Sequence, residues 1–180
     1  MRTVRRGLAV ALLAPLVLLL VGCSTGRGYA VPGKICGVKM PKDAIEPLLP
    51  DGEKLVQSLR WIGEDGKVKS CQVSVVDKTI AVDIDITDLD KPLTADDKRV
   101  SLKSLKHAKS VHLAGTHWTV QGDNQIHLST PCGLDWADSL SFRFTFAKGE
   151  KGTEVTRRNT LRFAEEFVPG EKKEKGCPAH

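Results

Sequence analysis

Five cysteines constrain this chain more than any other residues do: Cys23, Cys36, Cys71, Cys132 and Cys177. An odd number forbids complete internal pairing, so one of them must stand apart. Cys23 differs from the rest by what precedes it. Three arginines, Arg2, Arg5 and Arg6, open the chain with no acid among them, and an apolar run of 14 residues follows from Leu8 to Val21. A helix across a bilayer core needs roughly 20 such residues. A positive start, a short apolar core and the small Gly22 fit a cleaved signal peptide instead.

The tetrad Leu20-Val21-Gly22-Cys23 resembles the lipobox of bacterial lipoproteins. That resemblance implies a diacylglyceryl group on the Cys23 sulfur and cleavage just before it. A thiolate is a strong nucleophile for such a thioether, and several acyl chains tether where one alone is marginal. The expected organisation is a lipoprotein signal peptide over residues 1–22, a flexible Gly-rich tether over 23–34 and a single extracytoplasmic domain over 35–180. The chain would then stand on the outer face of the cell membrane, with the membrane as its first partner through lipid on Cys23.

Removal of residues 1–22 leaves 158 residues, enough for one domain with its own core. It also takes three arginines away, so the net charge falls from +5 to +2. So small a balance, spread along the chain, gives no electrostatic case for nucleic acid. Four cysteines remain, and an even number in an exported chain argues for two disulfides. Three pairings are possible. Adjacency favours Cys36–Cys71 and Cys132–Cys177, closing loops of about 35 and 45 residues worth roughly 4 kcal/mol each in the chain-entropy model. The cysteines lack the close C-x2-C pairs of structural zinc sites.

Hydrophobic period separates the elements. Asp43 to Leu49 reads as an early helical turn interrupted by Pro47, and Glu53 to Arg60 as a second helix with Leu55, Val56 and Leu59 on one side. From Ser70 the period becomes two. In "TIAVDIDI", Ile80, Val82, Ile84 and Ile86 share a face opposite Ala81, Asp83 and Asp85. Thr94 to Asp97 is a helix cap with Val100, Leu102 and Leu105 as inward residues. Strands follow through "SVHLAGTHWTVQGDNQIHLST", broken at Gly115 and at Gly122-Asp123-Asn124. "SLSFRFTF" alternates Leu140, Phe142, Phe144 and Phe146 with polar residues, and Val155 to Phe163 reads as its antiparallel return. "PGEKKEKG" reads as a charged loop pinned by Cys177. The expected fold is α+β, a largely antiparallel sheet with one to three short helices and two disulfides.

No motif commits the chain to a reaction. Asp83, Asp85, Asp88 and Asp90 suggest calcium, but the run lacks an EF-hand glycine and final glutamate, and alternation already places Asp83 and Asp85 on a wet face. His107, His112, His117 and His127 fall within 21 residues. If "VHL" and "IHL" lay on adjacent strands, His112 and His127 would meet, with His117 as a third ligand of a zinc or copper site. Ser129 and Thr130 have no nucleophile-elbow context. Trp136 reads as core. Arg143, Arg157, Arg158 and Arg162, with Lys148 and Lys151, suggest a basic sheet face. No cofactor motif is present: there is neither a G-x-G-x-x-G nor a P-loop.

The lipobox, the early Cys36-Gly37 and the "SCQVSVV" strand together resemble the small secreted lipoproteins of high-GC Gram-positive bacteria such as Streptomyces. The resemblance carries no catalytic residue across. The expected function is a non-catalytic envelope module that binds an envelope protein or small ligand, or supports an assembly. The alternatives are an envelope hydrolase and a metal-binding lipoprotein using the His112 and His127 strands.

Overall fold

The structure is a computed structural model that describes residues 27–63, 66–76, 80–147 and 154–178, without side chains for 154–156. The expected signal peptide, the lipobox-like tetrad and Cys23 lie outside the described residues, as do Lys148 and Lys151. No described helix is long and apolar enough to cross a membrane.

The chain begins with a two-stranded ribbon, β1 (Lys34–Ile35) and β2 (Val38–Lys39), then a short helix α1 (Lys42–Ile45) and a 3-10 turn over Glu46–Leu48. Next come β3 (Leu55–Ile62), β4 (Val68–Val75) and β5 (Ile80–Leu89), then the helix α2 (Ala95–Ser104). The strands β6 (Lys109–Val111), β7 (Trp118–Gln121), β8 (Gln125–Leu134) and β9 (Ala137–Phe146) precede a long helix α3 (Glu154–Lys175). Seven strands form one antiparallel sheet in the order β3-β4-β5-β9-β8-β7-β6. The fold is α+β, with a mostly antiparallel sheet, three helices and two disulfides.

Alternation decides which face of the sheet is dry. Cys71, Val73, Ile84, Ile86, Ile126, Leu128, Leu140, Phe142 and Phe144 are buried on one face, where α3 packs. The matching stripe of α3 is Thr160, Phe163, Ala164, Phe167, Val168 and Glu171, all buried. These recur at three and four residues, the period of a helix face. Phe163 and Phe167 meet Phe144 edge-on at 5.9 and 5.7 Å between ring centroids. Such edge-to-face pairs contribute beyond their burial. Gly170 is needed for this approach, because a Cβ there would lie 2.3 Å from Val38 Cγ1.

The opposite face carries α2, which packs on β7 and reaches β8 through Ser101 and His127. Leu105, Trp118 and Val120 form a small cluster beneath it, with Leu93 and Leu102 packed against them. Thr94 and Asp97 make a reciprocal capping box at its start, the expected cap. Val100 points outward at 64% exposure, while Leu105 is buried.

Two expected elements change type. Residues 55–62 form a strand, because they pair with β4 along its whole length. That pairing outweighs the weak helical spacing of Leu55, Val56 and Leu59. Residues 155–163 belong to helix α3 and not to a returning strand, and the expected loop at Pro169–Gly176 is largely its last turns. Burial of the stripe above explains why: only a helix brings the adjacent pairs Phe163-Ala164 and Phe167-Val168 to one face with Glu171.

The disulfides join Cys36 to Cys71 and Cys132 to Cys177. The first ties the β1–β2 ribbon to the sheet. The second ties the end of α3 to β8. Within the span expected to be a tether, residues from Arg27 onward contact the domain. Arg27 donates to the carbonyls of Glu46 and Leu49 at 2.8 and 2.9 Å, and the Tyr29 hydroxyl donates to the Pro50 carbonyl. Val31 and Tyr29 pack on the core on the α3 side.

Candidate functional site

The end of α3 and the turn after β6 enclose a wide groove with apolar walls. Its volume is about 510 Å³, and it is lined by Ala114, Gly115, Val168, Pro169, Lys172, Lys173, Cys177 and Pro178. Three devices build it. The Cys132–Cys177 bond holds the last turn of α3 over β8. Gly115 adopts φ +72°, a left-handed conformation that turns the chain between β6 and β7. The Thr130 hydroxyl then fixes that turn by donating to the Gly115 carbonyl at 2.7 Å. Lys172 and Lys173 are the only charged side chains in the lining. Partial burial lowers the pKa of Lys172, since desolvation penalises its ammonium form. Neither lysine makes an ion pair with a described residue.

A smaller cavity of about 170 Å³ lies between α2 and the sheet, lined by Leu93, Asp97, Val100, Ser101, Trp118, His127, Ser141, Phe142 and Arg143. Register explains the group. His127 lies opposite Arg143, and Arg143 opposite Asp85. Ser101 Oγ stands 3.2 Å from His127 Nδ1, while His127 Nε2 has no hydrogen-bond partner. Burial, then the charge of Arg143, lower the His127 pKa to about 4. A second serine–histidine contact joins Ser139 Oγ and His117 Nε2 at 3.4 Å. Among the described residues neither imidazole has a carboxylate on its other nitrogen, and a base with a pKa near 4 is poorly matched to neutral pH. Ser101 and Ser139 are both buried.

The histidines do not converge. β7 lies between β6 and β8, so His112, just past β6, is not beside His127. His127 faces Val120 and Arg143 instead. His112 and His117 share a different depression with Lys98, Thr116 and Thr119. His107 lies 2.9 Å from Asp123. No group of three or more His, Cys, Asp or Glu residues that could hold a metal occurs among the described residues. The acidic run disperses likewise: Asp88 binds Lys175 at 2.5 Å and Asp90 binds Lys67 at 3.4 Å. Asp83 stays half-buried, its carboxyl pKa raised by burial and then by Asp85.

The expected basic face is likewise dispersed. Arg143 lies on the face away from α3, Arg157 is held by Asp123 at 2.6 Å, and Arg162 by Asp43 at 2.5 Å. Trp136 is not core. It sits in the two-residue turn between β8 and β9, which Leu134 and Ala137 close, and is 53% exposed. Trp61 is 57% exposed. Lys175 Nζ lies 5.5 Å from the Trp61 ring and 5.3 Å from the Trp136 ring, which brings the two indoles to one corner.

Sequence reading missed the groove entirely. Its walls come from residues 114–115 and 168–178, joined only by the disulfide and the course of α3. The helical spacing of Phe163, Ala164, Phe167 and Val168 was the available signal. Comparison with protein families, with curated proteins and with solved structures finds no match.

Proposed function

We propose that this chain is a membrane-tethered extracytoplasmic lipoprotein, anchored through lipid on Cys23, that works as a non-catalytic binding module. Its ligand is an anionic amphiphile held in the groove beside α3. The groove carries this reading. Its volume of about 510 Å³ falls within the range of small-molecule sites, and its walls are apolar with two lysines in the lining. An ammonium group partly stripped of water and lacking a carboxylate is stabilised by an anionic head group. The apolar walls suit the body behind that head. The opening lies on the α3 side of the sheet, the side on which the chain enters at Arg27.

The hydrolase alternative has less support, because both serine–histidine contacts lack an orienting acid. The metal alternative loses its basis with the separation of His112 and His127.

Titration calorimetry on the chain from Ser24 onward tests the ligand. Decanoate is expected to bind with one-to-one stoichiometry, and decanol at least about tenfold more weakly, a difference of about 1.4 kcal/mol. Lys172→Glu with Lys173→Glu should weaken decanoate by a similar factor or more. Equal binding of decanol, or no effect of the double substitution, would remove the charge argument. No binding of either would remove the groove as the site.

A further inference from the structure

The strand β3 ends the sheet, and it lacks the devices that normally protect an edge. It is eight residues long with no proline, and its single charge is Arg60. The opposite edge, β6, has three residues and carries Lys109. Large apolar side chains gather on β3: Val56 at 40%, Leu59 at 51%, Trp61 at 57% and Ile62 at 45% exposure. We infer that β3 pairs antiparallel with β3 of a second copy of this chain, joining two seven-stranded sheets into one about a two-fold axis at Leu59.

The register follows from backbone geometry. The Val76 N–H donates to the Lys54 carbonyl at 2.9 Å, so this pair is of the hydrogen-bonded kind. Such pairs recur at every second residue, so Val56, Ser58, Arg60 and Ile62 turn their peptide groups to β4. Leu55, Gln57, Leu59 and Trp61 turn theirs to the open edge. A two-fold axis normal to the sheet keeps each face on its own side, so only residues of equal parity face one another. Centring on Leu59 places Leu59 against its own copy and Val56 against Ile62 twice. Arg60 then faces the neutral Ser58, and Trp61 faces Gln57. Centring on Ser58 instead sets Arg60 against Val56 and Leu59 against Gln57. Centring on Arg60 opposes two like charges, which is destabilising. The Leu59 register alone matches apolar residues with apolar residues on both faces.

The same axis suits two anchored chains. It leaves α3 and the Arg27 entry of both copies on one side of the joined sheet, so both tethers would reach a single membrane. This last point rests on the lipid anchor; the register does not.

The test is sedimentation velocity of the full chain in density-matched detergent. The wild type is expected at twice the chain mass. Leu59→Lys and Leu59→Glu each oppose like charges across the axis, and each alone should sediment as a monomer with at least tenfold weaker association. Mixed in equal amounts, they should recover the double mass, because lysine then faces glutamate. Half of the Leu59 surface is in water, and a far-ultraviolet circular dichroism spectrum matching that of the wild type would show that both variants fold. His112→Lys near the other edge should leave the dimer intact. A monomeric wild type would overturn the inference, as would a dimer indifferent to both Leu59 substitutions or a mixture that stays monomeric. Loss of decanoate binding with the dimer intact would count against the groove alone.

Discussion

Replacing Lys69 by Met should cost this fold a large part of its stability. Lys69 lies on β4 and Glu171 on α3, 102 residues apart, and the lysine Nζ reaches the two carboxylate oxygens at 2.8 and 2.7 Å. The side chains are only 11% and 1% exposed. An ion pair this deep adds little net stability, because desolvation offsets its attraction. Breaking it is another matter. Methionine fills the space of the lysine stem but leaves the Glu171 carboxylate buried without a counter-charge, a loss of about 3–5 kcal/mol. For a domain of this size each kcal/mol shifts Tm by about 2–4 °C. Thermal unfolding followed by circular dichroism, with both disulfides oxidised, should show a fall of about 6–20 °C. Lys69→Met combined with Glu171→Leu should recover most of that loss, because the uncompensated charge is gone. A single variant that loses less than about 1 kcal/mol, or a double variant as unstable as the single one, would refute the reasoning.

Three further outcomes follow from other contacts. His127 has a folded pKa of about 4, below its ordinary 6.5, so the unfolded chain takes up the proton first. Stability should therefore fall as pH drops from about 6.5 to 4, by about 1–2 kcal/mol once the exposed part of the ring is discounted; urea titrations of His127→Gln should lack this component. Cys132→Ser with Cys177→Ser opens a 45-residue loop, should cost about 4 kcal/mol by chain entropy, and should expose the last turn of α3 to rapid amide exchange. Gly170→Ala drives a methyl group into Val38 and should cost about 1–3 kcal/mol in the same unfolding assay.

Local patterns were legible wherever one residue type settled the period. The alternation of Val82, Ile84 and Ile86 and of Leu140, Phe142, Phe144 and Phe146 gave two central strands, and Thr94 with Asp97 gave the α2 cap. Elements whose type depends on distant partners were not legible. β3 carries exposed apolar residues on both faces, and that pattern mimics a helix. In α3, the β-branched and aromatic residues at 155–163 suggest a strand until the stripe is followed on to Glu171, a charged residue buried only because Lys69 reaches it. The nearness of Trp136 to Cys132 suggests a core position, yet a two-residue turn forces it outward. The groove depends on the path of α3, and so was lost along with it.

The anchor proposed at Cys23 would govern where everything else acts. The most direct measurement is the intact mass of the mature chain extracted from membranes. The expected species begins at Cys23 and carries a diacylglyceryl thioether on that residue. A chain that keeps residues 1–22, or one that begins elsewhere with Cys23 unmodified, would contradict a lipid-tethered module.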